Sequence, residues 1–214
     1  MSKIDEIAQA VESGKAKVVP GLVQEAIDEG DDPMEILNKG MVDAMSVVGE
    51  KFKNNEIFVP EMLVAARAMK KGVEVVKPYL TDSSSATIGK MVMGTVAGDL
   101  HDIGKNLVIM MIESAGFEVI DLGVDVPVEK FVEAASDPSV DIVGCSALLT
   151  TTMPAMRETV EALNKAPFRD RITIMVGGAP ITQEFADEIG ADVYTEDAAS
   201  AAEAAKQIIA NKKK

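Results

Sequence analysis

Residues 91–104 read Met-Val-Met-Gly-Thr-Val-Ala-Gly-Asp-Leu-His-Asp-Ile-Gly, and the fold is decided there. Residues 91–96 form a nearly continuous apolar run, the pattern of a strand buried on both faces. The run enters a polar loop, and helical spacing follows over residues 104–114, with Gly116 as C-cap. Further strands are predicted at 117–123, 141–146, 172–178 and 191–195. Helices are predicted at 127–135, 154–165, 182–189 and 198–211. Strands that each lead into a helix predict an α/β fold with a doubly wound, five-stranded parallel sheet. Ligands of such sheets bind outside the carboxyl ends of the strands. Those ends are residues 97–101, 123–126, 146–152, 177–180 and 195–198.

The loop after the first strand carries the chemistry. Gly98-Asp99-Leu100-His101-Asp102-Ile103-Gly104 lacks the glycine pattern of a dinucleotide turn, and no Gly-Lys-Ser/Thr follows as in a phosphate-binding loop. It offers an imidazole with a carboxylate two residues before it. A carboxylate that accepts one ring N–H fixes the tautomer and leaves the other nitrogen as a lone-pair donor. A metal ligand needs that arrangement. So does a general base, for which Ser146 is a candidate nucleophile, although no nucleophile-elbow pattern surrounds it. A loop histidine that only caps the following helix is the plainer reading, and the residues alone leave the three open.

Outward towards the N-terminus the character changes. Residues 81–87, Thr-Asp-Ser-Ser-Ser-Ala-Thr, have no hydrophobic period and read as a linker. They divide a helical domain, residues 1–80, from the α/β domain, residues 88–214. The helical part predicts a first helix capped by Ser2 and Asp5, a second over 18–29, a long third over 33–53 behind the Asp32-Pro33 cap, and a fourth over 61–76. Short connections make an antiparallel bundle the natural packing.

With 21 basic and 35 acidic residues, the 214-residue chain carries a formal charge of −14. That excludes a nucleic-acid partner and an anionic membrane surface, both of which need clustered positive charge. Lys212 to Lys214 read as a solvated tail. No apolar run reaches the roughly 18 residues of a membrane span, and residues 1–11 hold no apolar signal region, so a cytoplasmic chain is expected. The single cysteine, Cys145, excludes an internal disulfide, and the single histidine excludes a multi-histidine centre.

Three motifs at fixed spacing add a resemblance. Asp99-x-His101-x-x-Gly104 is followed after 41 residues by Ser146-x-Leu148, and after 28 more by Gly177-Gly178. The chain resembles the cobalamin-binding domain shared by methionine synthase and the corrinoid proteins of methyltransferase systems, including those for methanol and methylamines. Residues 95–108 match throughout, and residues 47–52 and 57–63 resemble the helical cap of those proteins.

The resemblance implies a Rossmann-like, flavodoxin-like domain behind a helical-bundle cap. It implies that His101 binds cobalt from below in place of the cofactor's own benzimidazole, the base-off, His-on state, and that Asp99 and Thr152 form a relay behind it. Methionine synthase carries serine where this chain has Thr152. Gly98, Leu100, Asp102, Ile103 and Gly104 complete the cofactor loop. Ser146, Leu148, Gly177 and Gly178 would line the slot for the nucleotide tail. Gly123, Thr150, Tyr194 and Ala198 match further cofactor-lining positions, and Phe58 matches a cap position over the upper face.

The implied function is a corrinoid methyl carrier, a component of a methyltransferase system rather than a complete enzyme. It would accept a methyl group on cobalt(I) from a substrate-specific methyltransferase. A second methyltransferase would pass it to a thiol or tetrahydrofolate, and a reductive activase would restore the cofactor. The rival readings are the cobalamin subunit of a mutase, a cobalamin-dependent regulator, and a cofactor-free hydrolase using His101 and Ser146.

Overall fold

The structure, a computed structural model, describes residues 2–80 and 87–212. The chain divides into two compact units, passing from one to the other between Thr87 and Ile88. Residues 81–86 of the expected linker lie outside the described residues.

The first unit is helical. α1 (Lys3–Glu12) starts from a reciprocal box in which Ser2 Oγ accepts from the Asp5 N–H and Asp5 Oδ2 accepts from the Ser2 N–H. α2 (Val19–Glu29) ends at Gly30 in the left-handed conformation. The long third helix is broken in two. α3 (Pro33–Leu37) and α4 (Asp43–Lys53) are joined by a π-helical turn, Asn38–Val42. The turn has a packing reason. Ile36 and Met41 are five residues apart, more than one α-turn, and the wider turn lets both be buried beside Leu37, Met45 and Val48. Gly40 lies in the turn against Ile7 of α1, where a Cβ would stand 3.1 Å from Ile7 Cγ2. α5 (Val59–Val76) begins two residues earlier than expected, because the Glu61 carboxylate accepts from the Phe58 N–H and caps the helix there.

The second unit is a five-stranded parallel sheet among the described residues, in the order β2-β1-β3-β4-β5. Its elements are β1 (Lys90–Thr95), α6 (Ile103–Ser114), β2 (Glu118–Asp121), α7 (Val128–Ala135), β3 (Ile142–Ser146), α8 (Met153–Asn164), β4 (Thr173–Gly177), α9 (Gln183–Ile189), β5 (Val193–Tyr194) and α10 (Ala198–Lys212). The outer strands β2 and β5 are shorter than the ranges expected for them, 117–123 and 191–195. The chain after β1 leaves towards β2, and the chain after β3 leaves towards β4. The switch point, where this topology opens a crevice, therefore falls between β1 and β3. Register places Thr95 beside Ser146, and Ser146 beside Gly177, so the ends of the three central strands lie in one row.

One face of the sheet buries Val92, Val143, Cys145, Ile174 and Val176 with Phe131, Met156, Val160 and Leu163. Burying the Phe131 ring contributes about 2–3 kcal/mol. Gly94 makes room for it, since a Cβ there would stand 2.8 Å from the ring.

One expectation for the C-terminus fails. Lys212 is the last residue of α10, not a solvated tail, and its Nζ donates to the carbonyls of Asp141 and Arg171. These carbonyls lie just ahead of β3 and β4, so α10 ends where the sheet offers acceptors to a cation. Lys213 and Lys214 lie outside the described residues. No helix among the described residues is long and apolar enough to cross a membrane.

Candidate functional site

β1 delivers the chain to the carboxyl edge, where it turns sharply. Gly98 takes φ +80°, a conformation that L side chains resist, and the Asp99 N–H closes the turn on the Val96 carbonyl at 3.1 Å. The turn points the Asp99 side chain inwards. Its exposure is 0%. A buried carboxylate must have partners, and Asp99 has four donors. Oδ1 accepts from the His101 N–H at 3.0 Å and from His101 Nδ1 at 2.8 Å. Oδ2 accepts from the Leu148 N–H at 2.7 Å and from the Thr152 hydroxyl at 2.8 Å. The single Thr152 proton also has the Leu149 carbonyl within 2.9 Å, but the charged oxygen is the stronger acceptor.

Burial alone would raise the Asp99 pKa. The Leu148 and His101 backbone N–H groups, then the Thr152 hydroxyl and the His101 ring, outweigh it and hold the carboxyl well below the usual carboxylate range. Asp99 is therefore ionised and can only accept. The proton between it and the ring must sit on His101 Nδ1, so that in the neutral ring Nε2 carries the lone pair. The His101 side chain is 50% exposed, so this lone pair is offered at the mouth of the crevice.

The mouth is apolar. Leu100 is 72% exposed and Ile103 83%, and Leu148 and Leu149 are also exposed. Side chains of this kind clustered around one nitrogen mark a binding surface rather than a water-facing loop. Between β3 and β4 the backbones touch. The Ala147 N–H donates to the Gly177 carbonyl at 3.2 Å, and Gly178, at φ +133°, lies where any Cβ would run into the Ala147 carbonyl.

Gly98, Asp99, Leu100, His101, Asp102, Ile103 and Gly104 thus form one loop with α6's first turn. Leu148, Thr150 and Thr152 follow β3, and Leu148 and Thr152 close on Asp99. Ser146 ends β3, with Gly177 and Gly178 ending β4 beside it. Gly123 follows β2, Tyr194 ends β5, and Ala198 is buried at the start of α10. Phe58 belongs to the helical unit, where it precedes α5 and is 64% exposed. Among the described residues no hydrogen bond joins Ser146 to His101, so the nucleophile–base pair of a serine hydrolase is not formed. Cys145 is no nucleophile either, because burial pushes its thiol up to about 12.

Sequence reasoning missed three supports of this loop. The Thr95 hydroxyl donates to the His101 carbonyl at 2.9 Å. Asp125 Oδ1 accepts from the Gly98 N–H at 2.7 Å. Lys105, 2% exposed, donates to Asp121 and to Asn106, each at 2.7 Å. A threonine inside an apolar strand was the available signal for the first. Nothing local announces the other two, which depend on β2 lying beside β1.

Known proteins resemble the chain along nearly its whole length. The family described as B12 binding domain matches residues 89–206, and a second family of the same description matches residues 3–77. The chain is 45% identical over 208 residues to dimethylamine corrinoid protein 1 of Methanosarcina acetivorans, covering 97% of each chain. It is 43% identical over 212 residues to a corrinoid protein of Desulfitobacterium hafniense, covering 98% of each. Among solved structures it is similar to a chain of the methanol:cobalamin methyltransferase complex of Methanosarcina barkeri. That match has TM-score 0.85 and 34% identity, and covers 97% of this chain and 80% of that one. It is also similar to a cobalamin-binding protein of Desulfitobacterium hafniense, with TM-score 0.80 and 32% identity, covering 96% and 98%.

Proposed function

The chain belongs to the family of B12-binding corrinoid proteins, and on that premise we propose that it is a methyl carrier serving a methyltransferase system, with His101 as the lower ligand of the corrinoid cobalt. When bound, the corrinoid supplies the metal centre that takes up and gives up the methyl group. The chain's own residues hold, orient and shield that centre.

One observation carries the proposal. A buried Asp99 accepts from His101 Nδ1, and the ring is left half exposed with Nε2 turned away from that carboxylate. A neutral imidazole with a fixed tautomer is the form that ligates metal. Base-off, His-on binding follows, because a nitrogen already held at the lower face makes the cofactor's own base redundant. The residues fit a large, flat macrocycle in two further respects. Leu100 and Ile103 expose apolar surface beside the ligand. Gly104 has open space where a Cβ would stand, so nothing inside the chain fills it.

Ser146, Leu148, Gly177 and Gly178 are assigned to the slot for the displaced nucleotide tail, with Gly98, Asp102, Ile103, Gly123, Thr150, Tyr194 and Ala198 around the cofactor. Thr152 donates to Asp99, acting one bond behind the ligand. Residues 1–80 are taken as the cap domain of the family, to which Phe58 belongs, and residues 81–87 as the segment that joins it to the cobalamin-binding domain. A substrate-specific methyltransferase, an acceptor methyltransferase and a reductive activase are the partners, each of which must reach the cofactor. No feature of the described residues favours a mutase subunit or a regulator.

Reconstitution of the purified chain with cobalamin tests this. The bound cofactor should show base-off, His-on absorbance, and methyl-labelled cofactor should lose its label to an acceptor methyltransferase. His101→Ala should still fold and bind cobalamin more weakly, without the His-on bands. A His101→Ala spectrum identical to that of the wild type would refute the axial role.

A further inference from the structure

Asp125 is the only residue of the α/β unit other than glycine with a positive φ among the described residues, at +51°. Few residues accept that conformation; Gly, Asn and Asp do so most readily. Asp125 uses it to grip the turn that carries the histidine from both sides. Its Oδ1 accepts from the Gly98 N–H at 2.7 Å, and its own N–H donates to the Asp99 carbonyl at 2.9 Å. The rest of the loop after β2 continues this zipper. The Thr95 N–H donates to the Gly123 carbonyl and the Val126 N–H to the Thr95 carbonyl, each at 3.0 Å. Just ahead of it, the carboxylate of Asp121, the last residue of β2, meets Lys105 in the first turn of α6. The segment from Thr95 to Lys105, with His101 in its middle, is thus held at both ends by the loop that follows β2.

We propose that Asp125 is a positioning residue for His101: it fixes the Gly98–Asp99 turn, and through Asp99 it sets the tautomer and direction of the ring. The proposal rests on the reading of His101 as the cobalt ligand, and it adds a residue that touches neither ring nor metal. Two properties are required at this position, a left-handed backbone and a side-chain acceptor. Asp and Asn have both, Gly has only the first, and Ala has neither.

The test uses the full chain and the variants Asp125→Asn, Asp125→Gly and Asp125→Ala, with circular dichroism to verify folding. Because His101 is the only histidine, its ring nitrogens give an unambiguous ¹⁵N NMR signal without any cofactor. Wild type and Asp125→Asn should show a single Nδ1–H tautomer and a protected Gly98 amide. Asp125→Gly should exchange that amide about fivefold faster, the order of one lost hydrogen bond, and show a mixture of tautomers. The second readout is methylcobinamide, which has no base of its own, so imidazole coordination is seen directly in its absorbance. Coordination should weaken about fivefold in Asp125→Gly, further in Asp125→Ala, and return in Asp125→Asn.

If folded Asp125→Gly matches wild type in ring signals, Gly98 exchange and cobinamide coordination, the proposal is overturned. If Gly and Ala variants both fail to fold, Asp125 is a structural support and the proposal is equally overturned. If wild type itself does not coordinate methylcobinamide, the ligand role of His101 fails, while the two cofactor-free signals still decide whether Asp125 positions the ring.

Discussion

Replacing Asp99 by Asn keeps the shape of the side chain and changes only its hydrogen-bond chemistry. The carboxylate meets four donors, two on each oxygen. An amide has one acceptor oxygen and one NH2 group, so one pair of donors must face another donor. If NH2 points to Leu148, the Thr152 hydroxyl can turn to the Leu149 carbonyl at 2.9 Å, but the Leu148 N–H is stranded. If it points to His101, the ring can change tautomer, but the His101 N–H is stranded. Either way one part-buried backbone donor loses its partner, at about 1 kcal/mol, and charge-assisted bonds worth about 1.5–3 kcal/mol each become neutral ones. The net cost is about 3 kcal/mol, roughly a hundredfold in the unfolding equilibrium.

Cys145 is the reporter for this experiment. It is the only cysteine, it is buried in β3 of the same unit, and it becomes reactive when that unit opens. Labelling with 4,4′-dithiodipyridine, which works in acid as well as at neutral pH, should be roughly a hundredfold faster in Asp99→Asn at pH 7. The pH dependence has a definite sign. The folded-state pKa of Asp99 is lowered, so its contribution is fully present above the unfolded value near 3.9 and is lost as the pH falls towards the folded value. The gap between wild type and variant should therefore narrow by about 1 kcal/mol between pH 5 and pH 3. Equal labelling rates at pH 7 would refute the idea that a buried anion organises the loop. A gap that widens in acid would refute the assigned ionisation state.

The remaining predictions test the supports and the surface of the site. Gly178→Ala should lower stability by about 2–3 kcal/mol in denaturant titration, because its backbone is left-handed and the new Cβ meets the Ala147 carbonyl. Lys105→Met should cost only about 1 kcal/mol, whereas Asp121→Ala should cost about 3 kcal/mol. The first change frees a carboxylate that is 44% exposed and can take up water; the second removes the carboxylate from a cation that is 2% exposed and leaves it the neutral Asn106 amide oxygen. Equal losses for the two would contradict the buried position of the lysine. Gly104→Ala should leave Cys145 labelling unchanged or slower, yet weaken cobalamin binding about tenfold, the order of one displaced contact at a packed surface; unchanged affinity would free Gly104 of any role towards the ligand.

The α/β alternation was legible because parallel strands are buried on both faces and so read as apolar runs. The Asp99–His101 bond was legible for a similar reason, since a spacing of two in a tight loop leaves the carboxylate within reach of the ring. What lay hidden depends on the third dimension. The approach of Thr152 to Asp99 spans 53 residues and came through resemblance, not through spacing. The grip of Asp125 on Gly98 spans 27 residues and exists only because β2 lies beside β1. The π turn at Asn38–Val42 was hidden differently: its five-residue step from Ile36 to Met41 stands in the sequence, but a helical template absorbs it unless one asks which side chains must be buried together.

The glycines sort the demands of the fold from those of something outside the chain. At Gly94 and Gly144 a side chain would enter Phe131 or Met93, so the core requires the gap. At Gly98, Gly123 and Gly178 a positive φ favours glycine whatever the space around it. Gly104 answers to neither demand: its φ is not positive, and beyond its chain neighbours and its own helix backbone no atom lies within 4 Å of where its Cβ would be. It also sits in the first turn of α6, where alanine would hold the helix better by up to about 1 kcal/mol. A glycine that weakens its own helix without relieving strain or clash has no reason within the described residues. That fits the proposed corrinoid site, because Gly104 lies three residues along the loop from His101 and next to the exposed Ile103.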